Sequence, residues 1–155
     1  MFPSTLATNK HLMPVYDKPM FFYPLSVLML SGIKNFLLII NPGQKKKYVE
    51  LLNPYADIGI NIEFVEQKKP GGIPEAFILG EKFIGNDSVA LILGDNFFYG
   101  SMLTPLIKQS FQTKKGTNIY LYPSKNTSAY GVVELNQRGK IKRIVEKPKF
   151  TKSNL

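Results

Sequence analysis

Phe22-Tyr23-Pro24-Leu25-Ser26-Val27-Leu28-Met29-Leu30-Ser31-Gly32-Ile33-Lys34-Asn35-Phe36-Leu37-Leu38-Ile39-Ile40-Asn41-Pro42-Gly43 reads as a helix, a tight stop and a buried strand in immediate succession. Leu25, Leu28, Met29 and Ile33 recur at helical spacing and supply one apolar face. Pro24 is pre-set for a first turn and Gly32 suits a C-terminal stop, which predicts a helix over residues 23–32. Residues 36–40 are a continuous apolar run of the kind that sheets bury on both faces, closed by Asn41-Pro42-Gly43. Helix and strand alternating in this way predict an α/β fold with a mostly parallel central sheet.

The alternation continues outward in both directions. Upstream, Lys10-His11-Leu12-Met13-Pro14-Val15-Tyr16-Asp17-Lys18-Pro19-Met20 reads as an irregular loop running straight into an amphipathic helix. Downstream, a short basic helix over 44–52 carries the apolar stripe Tyr48, Leu51 and Leu52, and residues 61–65 alternate like a strand. A Gly71-Gly72 loop, a helix over 73–83 and a buried strand over 88–93 follow, the last ending at Gly94-Asp95-Asn96. A helix over 101–111 and a strand over 117–122 come next. Residues 131–135 and 140–145 flank Asn136-Gln137-Arg138-Gly139, a hairpin signal. One domain over 1–155 is expected, without repeat or internal linker, and the polar, proline-broken tail 148–155 is expected to fray unless something follows it.

Composition narrows the class. At 155 residues with 44% apolar and 12% aromatic content, the chain can bury a sizeable core. No apolar run approaches the ~20 residues that span a bilayer, and residues 1–11 show no signal-peptide pattern. Cysteine is absent, which excludes disulfides, zinc thiolates and thiol nucleophiles and makes the cytoplasm the expected compartment. The net charge of +9 suggests nucleic acid, but Arg138 and Arg143 are the only arginines and the lysines are scattered. The one tight cluster, Lys45-Lys46-Lys47, reads as a solvated helix face. No nucleic-acid or membrane partner is therefore expected.

Several residues have chemistry to offer. Asp95 follows a buried strand, where open α/β sheets place their ligand crevice, and a carboxylate there suits Mg²⁺. An Asx-type turn explains the same segment equally well. Lys10 is a compact cation able to neutralise a polyphosphate, or else an ordinary surface lysine. His11, the only histidine, has no metal-binding companion in sequence and reads as packed or surface. Gln67 offers a donor and an acceptor suited to a pyrimidine edge, and Gly71-Gly72 permit close approach to a flat ring, or form a plain turn. Tyr130-Gly131 and Glu146-Lys147-Pro148 present a hydroxyl, a carboxylate and a cation to a sugar phosphate, or belong to a surface hairpin with a weak ion pair.

In order along the chain, Val15-Tyr16-Asp17-Lys18-Pro19-Met20, Tyr23-Pro24-Leu25-Ser26-Val27-Leu28-Met29-Leu30, Gly72-Ile73, Ala76-Phe77, Gly80-Glu81 and Phe83-Ile84-Gly85 are followed by four further segments. These are Leu93-Gly94-Asp95-Asn96, Phe98-Tyr99-Gly100, Tyr130-Gly131-Val132-Val133-Glu134 and Glu146-Lys147-Pro148. Together they resemble the sugar-nucleotide pyrophosphorylases, and within them the thymidylyltransferases, over nearly the whole chain. The resemblance implies a Rossmann-like nucleotidyltransferase fold and Mg²⁺-dependent attack of glucose 1-phosphate on the α-phosphate of dTTP, releasing pyrophosphate. It implies that Lys10 contacts nucleotide phosphate, that Asp95 holds Mg²⁺, and that Gln67, the Gly72 backbone and Ile73 receive the thymine. It further implies that Tyr130, Gly131, Glu146 and Lys147 hold the glucose 1-phosphate, with Lys10 and Lys147 in the catalytic roles.

There are departures as well. The family's Gly-Gly-x-Gly-Thr-Arg-Leu loop precedes the segment matching Phe2-Pro3, with Met1 on its leucine, and Pro74 and Glu75 stand where alanine and glutamine are more usual. The resemblance therefore implies a partial nucleotidyltransferase domain, without the first strand and the C-terminal part, with little turnover of its own and a coding start further upstream. It also implies a full-length form that is a homo-oligomer. A non-catalytic binding or oligomer-forming remnant, or a uridylyltransferase or other sugar-1-phosphate nucleotidyltransferase, are the alternatives.

Overall fold

The computed structural model describes residues 8–69, 71–113, 116–151 and 153–155, so the matches at Met1 and Phe2-Pro3 lie outside the described residues. The backbone forms two compact units, 1–114 and 115–155.

The first unit is built on α1 (Phe22–Leu30) and two parallel strands, β3 (Asn35–Ile40) and β4 (Asn61–Glu66). Ahead of α1, a 3₁₀ turn over Lys10–Leu12 leads into a small antiparallel ladder of β1 (Pro14–Val15) and β2 (Lys18–Pro19). That ladder gives order to a segment expected to be irregular. Helix α1 ends as its sequence dictates. Gly32 takes φ +98°, its N–H donates to Met29 and that of Ile33 donates to Leu28, which is the paired-bond stop that glycine makes possible. The helix is apolar almost all round, Tyr23 and Ser26 being its polar side chains, rather than amphipathic.

Strands β3 and β4 pair in register from Asn35↔Asn61 to Ile40↔Glu66, joined by α2 (Lys45–Leu52) and a following 3₁₀ turn. Phe21, Leu25, Phe36, Ile40, Tyr48 and Leu52 form the buried core shared by α1, β3 and α2. The Phe21 ring stacks on Phe22 at 4.6 Å and meets Tyr48 edge-on at 5.0 Å. Lys45, Lys46 and Lys47 lie exposed on the outer side of α2, as a solvated face.

Beyond β4 the outcome departs from the sequence pattern in two places. The single helix expected over 73–83 is two short ones, α3 (Glu75–Leu79) and α4 (Glu81–Ile84), parted at Gly80. A Cβ at Gly80 would stand 3.2 Å from Leu37 of β3 and 3.0 Å from the Ala76 carbonyl, so glycine lets the break sit close to the sheet. Residues 88–93, expected as a buried strand, join no ladder among the described residues and are largely exposed. An apolar run becomes a strand only when a neighbour takes its backbone groups. The segment instead lines one side of an open groove of about 1130 Å³ whose other side is β3. Helix α5 (Leu103–Ser110) closes the unit and buries Ile107.

The second unit is a hairpin of β5 (Gly131–Leu135) and β6 (Ile141–Glu146), pairing Gly131 with Glu146 and Glu134 with Arg143, with a bulge at Glu134/Leu135. Asn136 makes its turn: the side-chain oxygen accepts the N–H groups of Arg138 and Lys140 at 2.9 and 3.1 Å, and Gly139 takes φ +70°. Residues 117–122 join no ladder among the described residues, contrary to the expected strand. Residues 153–155 of the tail are bonded to β5 and to Ser124. Val133 N–H donates to Leu155, Ser124 N–H donates to Asn154, and the Ser153 hydroxyl donates to the Val133 carbonyl. Polar residues that look unstructured in sequence thus supply the donors and acceptors that β5 leaves open.

The shared core makes a stability prediction. Phe36→Ala is expected to lower the unfolding free energy by about 3–5 kcal/mol in urea titration. Gly32→Ala, which meets no neighbouring atom but must hold a positive φ, is expected to cost only about 1–2 kcal/mol.

Candidate functional site

Parallel strands direct their carboxyl ends to one edge, and ligands of open α/β sheets sit outside that edge. Gln67 directly follows β4, and its N–H donates to the Ile40 carbonyl at 2.8 Å, extending the ladder by one bond. Asp95 follows the extended segment 88–93. Gln67, Gly72, Ile73, Gly94, Asp95 and His11 all line the groove described above. The structure therefore brings together the five residues singled out for a nucleotide in the first unit, with Lys10 joined through Asp95.

Lys10 Nζ meets Asp95 Oδ2 at 2.5 Å, across 85 residues of chain, with side chains 42% and 35% exposed. The Lys10 hydrogen bond holds the Asp95 carboxyl below the usual carboxylate range, with desolvation opposing. The turn carrying Lys10 is fixed from both sides. Asn9 Oδ1 accepts the His11 N–H at 3.0 Å while Asn9 Nδ2 donates to Gln44 Oε1 at 2.6 Å, and the His11 carbonyl accepts Phe21 N–H. The loop carrying Asp95 is fixed as well. Asn96 N–H donates to the Leu93 carbonyl, Asn96 Oδ1 accepts Leu93 N–H at 3.3 Å, and the Phe97 ring lies 4.7 Å from Tyr23 of α1. Asn96 thus supplies the side-chain-to-backbone bond of this turn, while Asp95 pairs with Lys10.

The His11 ring lies against Gly94, where an added Cβ would sit 3.1 Å from the ring. Burial pushes the His11 imidazole below its ordinary pKa, Asp95 opposes that shift and Lys10 adds to it. His11 is therefore a packed spacer behind the pair, consistent with its reading from sequence.

At the other end of the groove, Gly72 takes φ +87°, a conformation that glycine adopts without strain. Glu75, at the start of α3, accepts Gly71 N–H at 2.8 Å and the side-chain amide of Gln67. Sequence reasoning singled out Glu75 only as a departure from pattern, and it passed over Asn9 entirely. An Asn one residue before a short helical turn is a capping signal that could have found Asn9.

In the second unit, Tyr130, Gly131, Glu146 and Lys147 gather at the open end of the hairpin. Gly131 pairs with Glu146, and Lys147 N–H donates to the Tyr130 carbonyl at 2.9 Å. Tyr130 is exposed, and the Lys147 and Glu146 side chains stand 4.0 Å apart in solvent, a contact of little energetic weight. Lys147 adopts φ +43°, an uncommon backbone state for a side-chain-bearing residue.

Among the described residues, no group of three or more His, Cys, Asp or Glu could enclose a metal ion. Asp95 offers one carboxylate at the groove, which fits a hard cation completed by phosphate oxygens and water rather than by protein. No helix among the described residues is long and apolar enough to cross a membrane.

A parallel strand pair with its connecting helix, and an open groove running along β3 to the ends of the strands, are those of a Rossmann-like α/β fold. The family model for nucleotidyl transferases matches residues 1–155, and the chain belongs to that family. It is 46% identical over 154 residues to a glucose-1-phosphate thymidylyltransferase of Neisseria meningitidis and 45% identical to one of Mycobacterium tuberculosis. Each match covers 99% of this chain and 54% or 53% of the relative. The chain thus spans about half the length of the curated relatives it matches. A Bacillus anthracis protein assigned to the glucose-1-phosphate thymidylyltransferases and solved with sucrose superposes with a TM-score of 0.89 at 33% identity, over 99% of this chain and 62% of its own.

The half-buried imidazole carries a pH prediction. A base with a depressed folded pKa favours the neutral form in the fold, so the unfolded chain takes up the proton first as pH falls through 6.5. Stability is therefore expected to fall below about pH 6.5. Urea titrations at pH 7.5 and 5.5 are expected to show this loss, and His11→Gln to reduce it.

Proposed function

We propose that this chain carries the nucleotide-binding part of an enzyme that condenses dTTP with glucose 1-phosphate to dTDP-glucose and pyrophosphate. The observation that carries the reading is the Lys10–Asp95 pair at the groove that also holds Gln67, Gly72 and Ile73. Similarity to curated thymidylyltransferases over 99% of the chain supports it.

In this reading the base enters beside Gln67 and Ile73, with the Gly72 backbone close to its edge. The triphosphate runs toward Lys10 and Asp95. Lys10 is the catalytic cation: its ammonium, held against Asp95 in the free protein, has a stronger anionic partner once phosphate arrives. Asp95 would then be the residue to hold Mg²⁺. The ion, when bound, neutralises charge that develops on the phosphate oxygens. Tyr130, Gly131 and Glu146 hold the sugar, and Lys147 holds its phosphate. A phosphate oxygen of glucose 1-phosphate attacks the α-phosphorus of dTTP, the bond from that phosphorus to the bridging oxygen breaks, and pyrophosphate leaves. Such transfer depends on alignment and charge neutralisation, and in the first unit Lys10 and Asp95 are suited to neutralise charge at the triphosphate. The cytoplasm is the proposed compartment.

Calorimetric titration of the purified chain with dTTP, with and without Mg²⁺, tests the nucleotide half. Lys10→Ala is expected to weaken dTTP binding at least about tenfold, in line with loss of a charge-assisted contact. Asp95→Asn is expected to remove the Mg²⁺-dependent increment while sparing metal-free binding. Absence of Mg²⁺-stimulated dTTP binding by the unsubstituted chain would overturn the reading. Pyrophosphate release with glucose 1-phosphate, and its loss in Lys147→Ala, tests the sugar half in a full-length protein.

A further inference from the structure

The Gln67 side chain is held by a partner that can only accept. Its backbone is held by the N–H bond to Ile40, and at the end of the side chain the amide oxygen and nitrogen can exchange places by rotation. The Gln67 Nε2 donates to Glu75 Oε2. A carboxylate has no hydrogen to give, so the reversed amide would set oxygen against oxygen. Glu75 is in turn placed by Gly71, whose N–H donates to the same oxygen at 2.8 Å. Gly71 has no side chain to obstruct it, and an added Cβ would run into the Glu75 carboxylate. Among the described residues, Gln67 Oε1 accepts no hydrogen bond, and Gln67 lines the groove.

We propose that Glu75 is a specificity-determining residue: by fixing the Gln67 amide nitrogen, it leaves the oxygen to face the base and selects pyrimidines that carry an N3–H. This rests on the groove being the pyrimidine site of the preceding section. Thymine and uracil donate from N3 and satisfy the Gln67 oxygen. Cytosine has a lone pair at N3, which would meet that oxygen acceptor to acceptor. The 5-methyl group plays no part in this contact, so the lock separates thymine and uracil from cytosine and does not separate them from each other. A glutamine at position 75 could donate or accept, and would leave Gln67 free to turn.

Competition binding with dTTP, dUTP and dCTP in the presence of Mg²⁺ tests the lock in the chain as it stands. The unsubstituted protein is expected to favour dTTP and dUTP over dCTP by about tenfold or more, the order of one mismatched hydrogen bond. Glu75→Gln is expected to shrink that ratio at least threefold. Glu75→Lys, whose ammonium can only donate, is expected to draw the Gln67 oxygen inward and shift preference toward dCTP. An equal loss of affinity for all three nucleotides in Glu75→Gln would make the residue merely structural and overturn the proposal. So would an unsubstituted protein that binds all three alike. The side-chain amide signals of Gln67 in ¹⁵N NMR of the ligand-free protein separate the two levels. If they shift on Glu75→Gln while the unsubstituted chain binds none of the three, the pyrimidine site is refuted and the lock is real; if they do not shift, the lock is refuted.

Discussion

The parallel pairing of β3 with β4 is the constraint on which the first unit rests. Six residue pairs in register place Ile40 and Glu66 at one edge, and the bond from Gln67 to Ile40 carries the ladder one step past the strand. The backbone thereby sets the height at which the Gln67 side chain leaves the sheet. The same pairing puts Phe36 and Ile40 into the core with α1 and α2. Parallel strands need a crossover, and α2 with its 3₁₀ turn supplies one whose apolar side, Tyr48 and Leu52, closes that core. The energy of the arrangement comes from apolar burial; its precision at the groove comes from the hydrogen bonds that follow from register.

The Lys10–Asp95 pair works differently. Both side chains are more than a third exposed, so the contact contributes only about 0–1 kcal/mol to stability. Its weight lies in what it aligns. Asn9 ties the Lys10 turn to α2 through Gln44, while Tyr23 and His11 hold the loop around Asp95 against α1 and the turn. Two segments 85 residues apart in sequence are thus held together by packing beside the side-chain contact itself. A weak ion pair between well-placed groups suits the proposed site, in which both partners turn to a ligand.

What the sequence made legible were features whose cause is local. Pro24 and Gly32 bracket α1 because a proline ring and a positive φ act within one turn, and Asn136 with Gly139 marks the hairpin for the same reason. The continuous run 36–40 was readable because apolar content alone demanded burial. The rest depended on neighbours that sequence does not display. Residues 88–93 have the composition of a buried strand yet join no ladder among the described residues, since a ladder is a property of two segments. The break at Gly80 follows from Leu37, which lies far away in sequence. The bonds of residues 153–155 go to the backbone groups of Val133 and Ser124, which leave no trace in a side-chain pattern. Of the candidate site, Asp95, Gln67 and Gly72 were found from their places after strand-like runs. Glu75 was seen only as an irregularity.

Glu75 shows why a departure from pattern can be more informative than agreement with it. A polar side chain beside a base is ambiguous when it can both donate and accept, and glutamine is the most ambiguous of all. Recognition by such a group needs something else to choose its orientation. In this chain the choice is made by a neighbour with a single hydrogen-bonding sense, held by a glycine N–H on the adjoining loop. In the proposed function a base would be met by one fixed acceptor instead of an amide free to adapt, and fixing the amide before the ligand arrives would remove its cost of ordering from binding. On the proposed reading, selectivity at this edge is accordingly set by the loop that positions Glu75, more than by Gln67 itself.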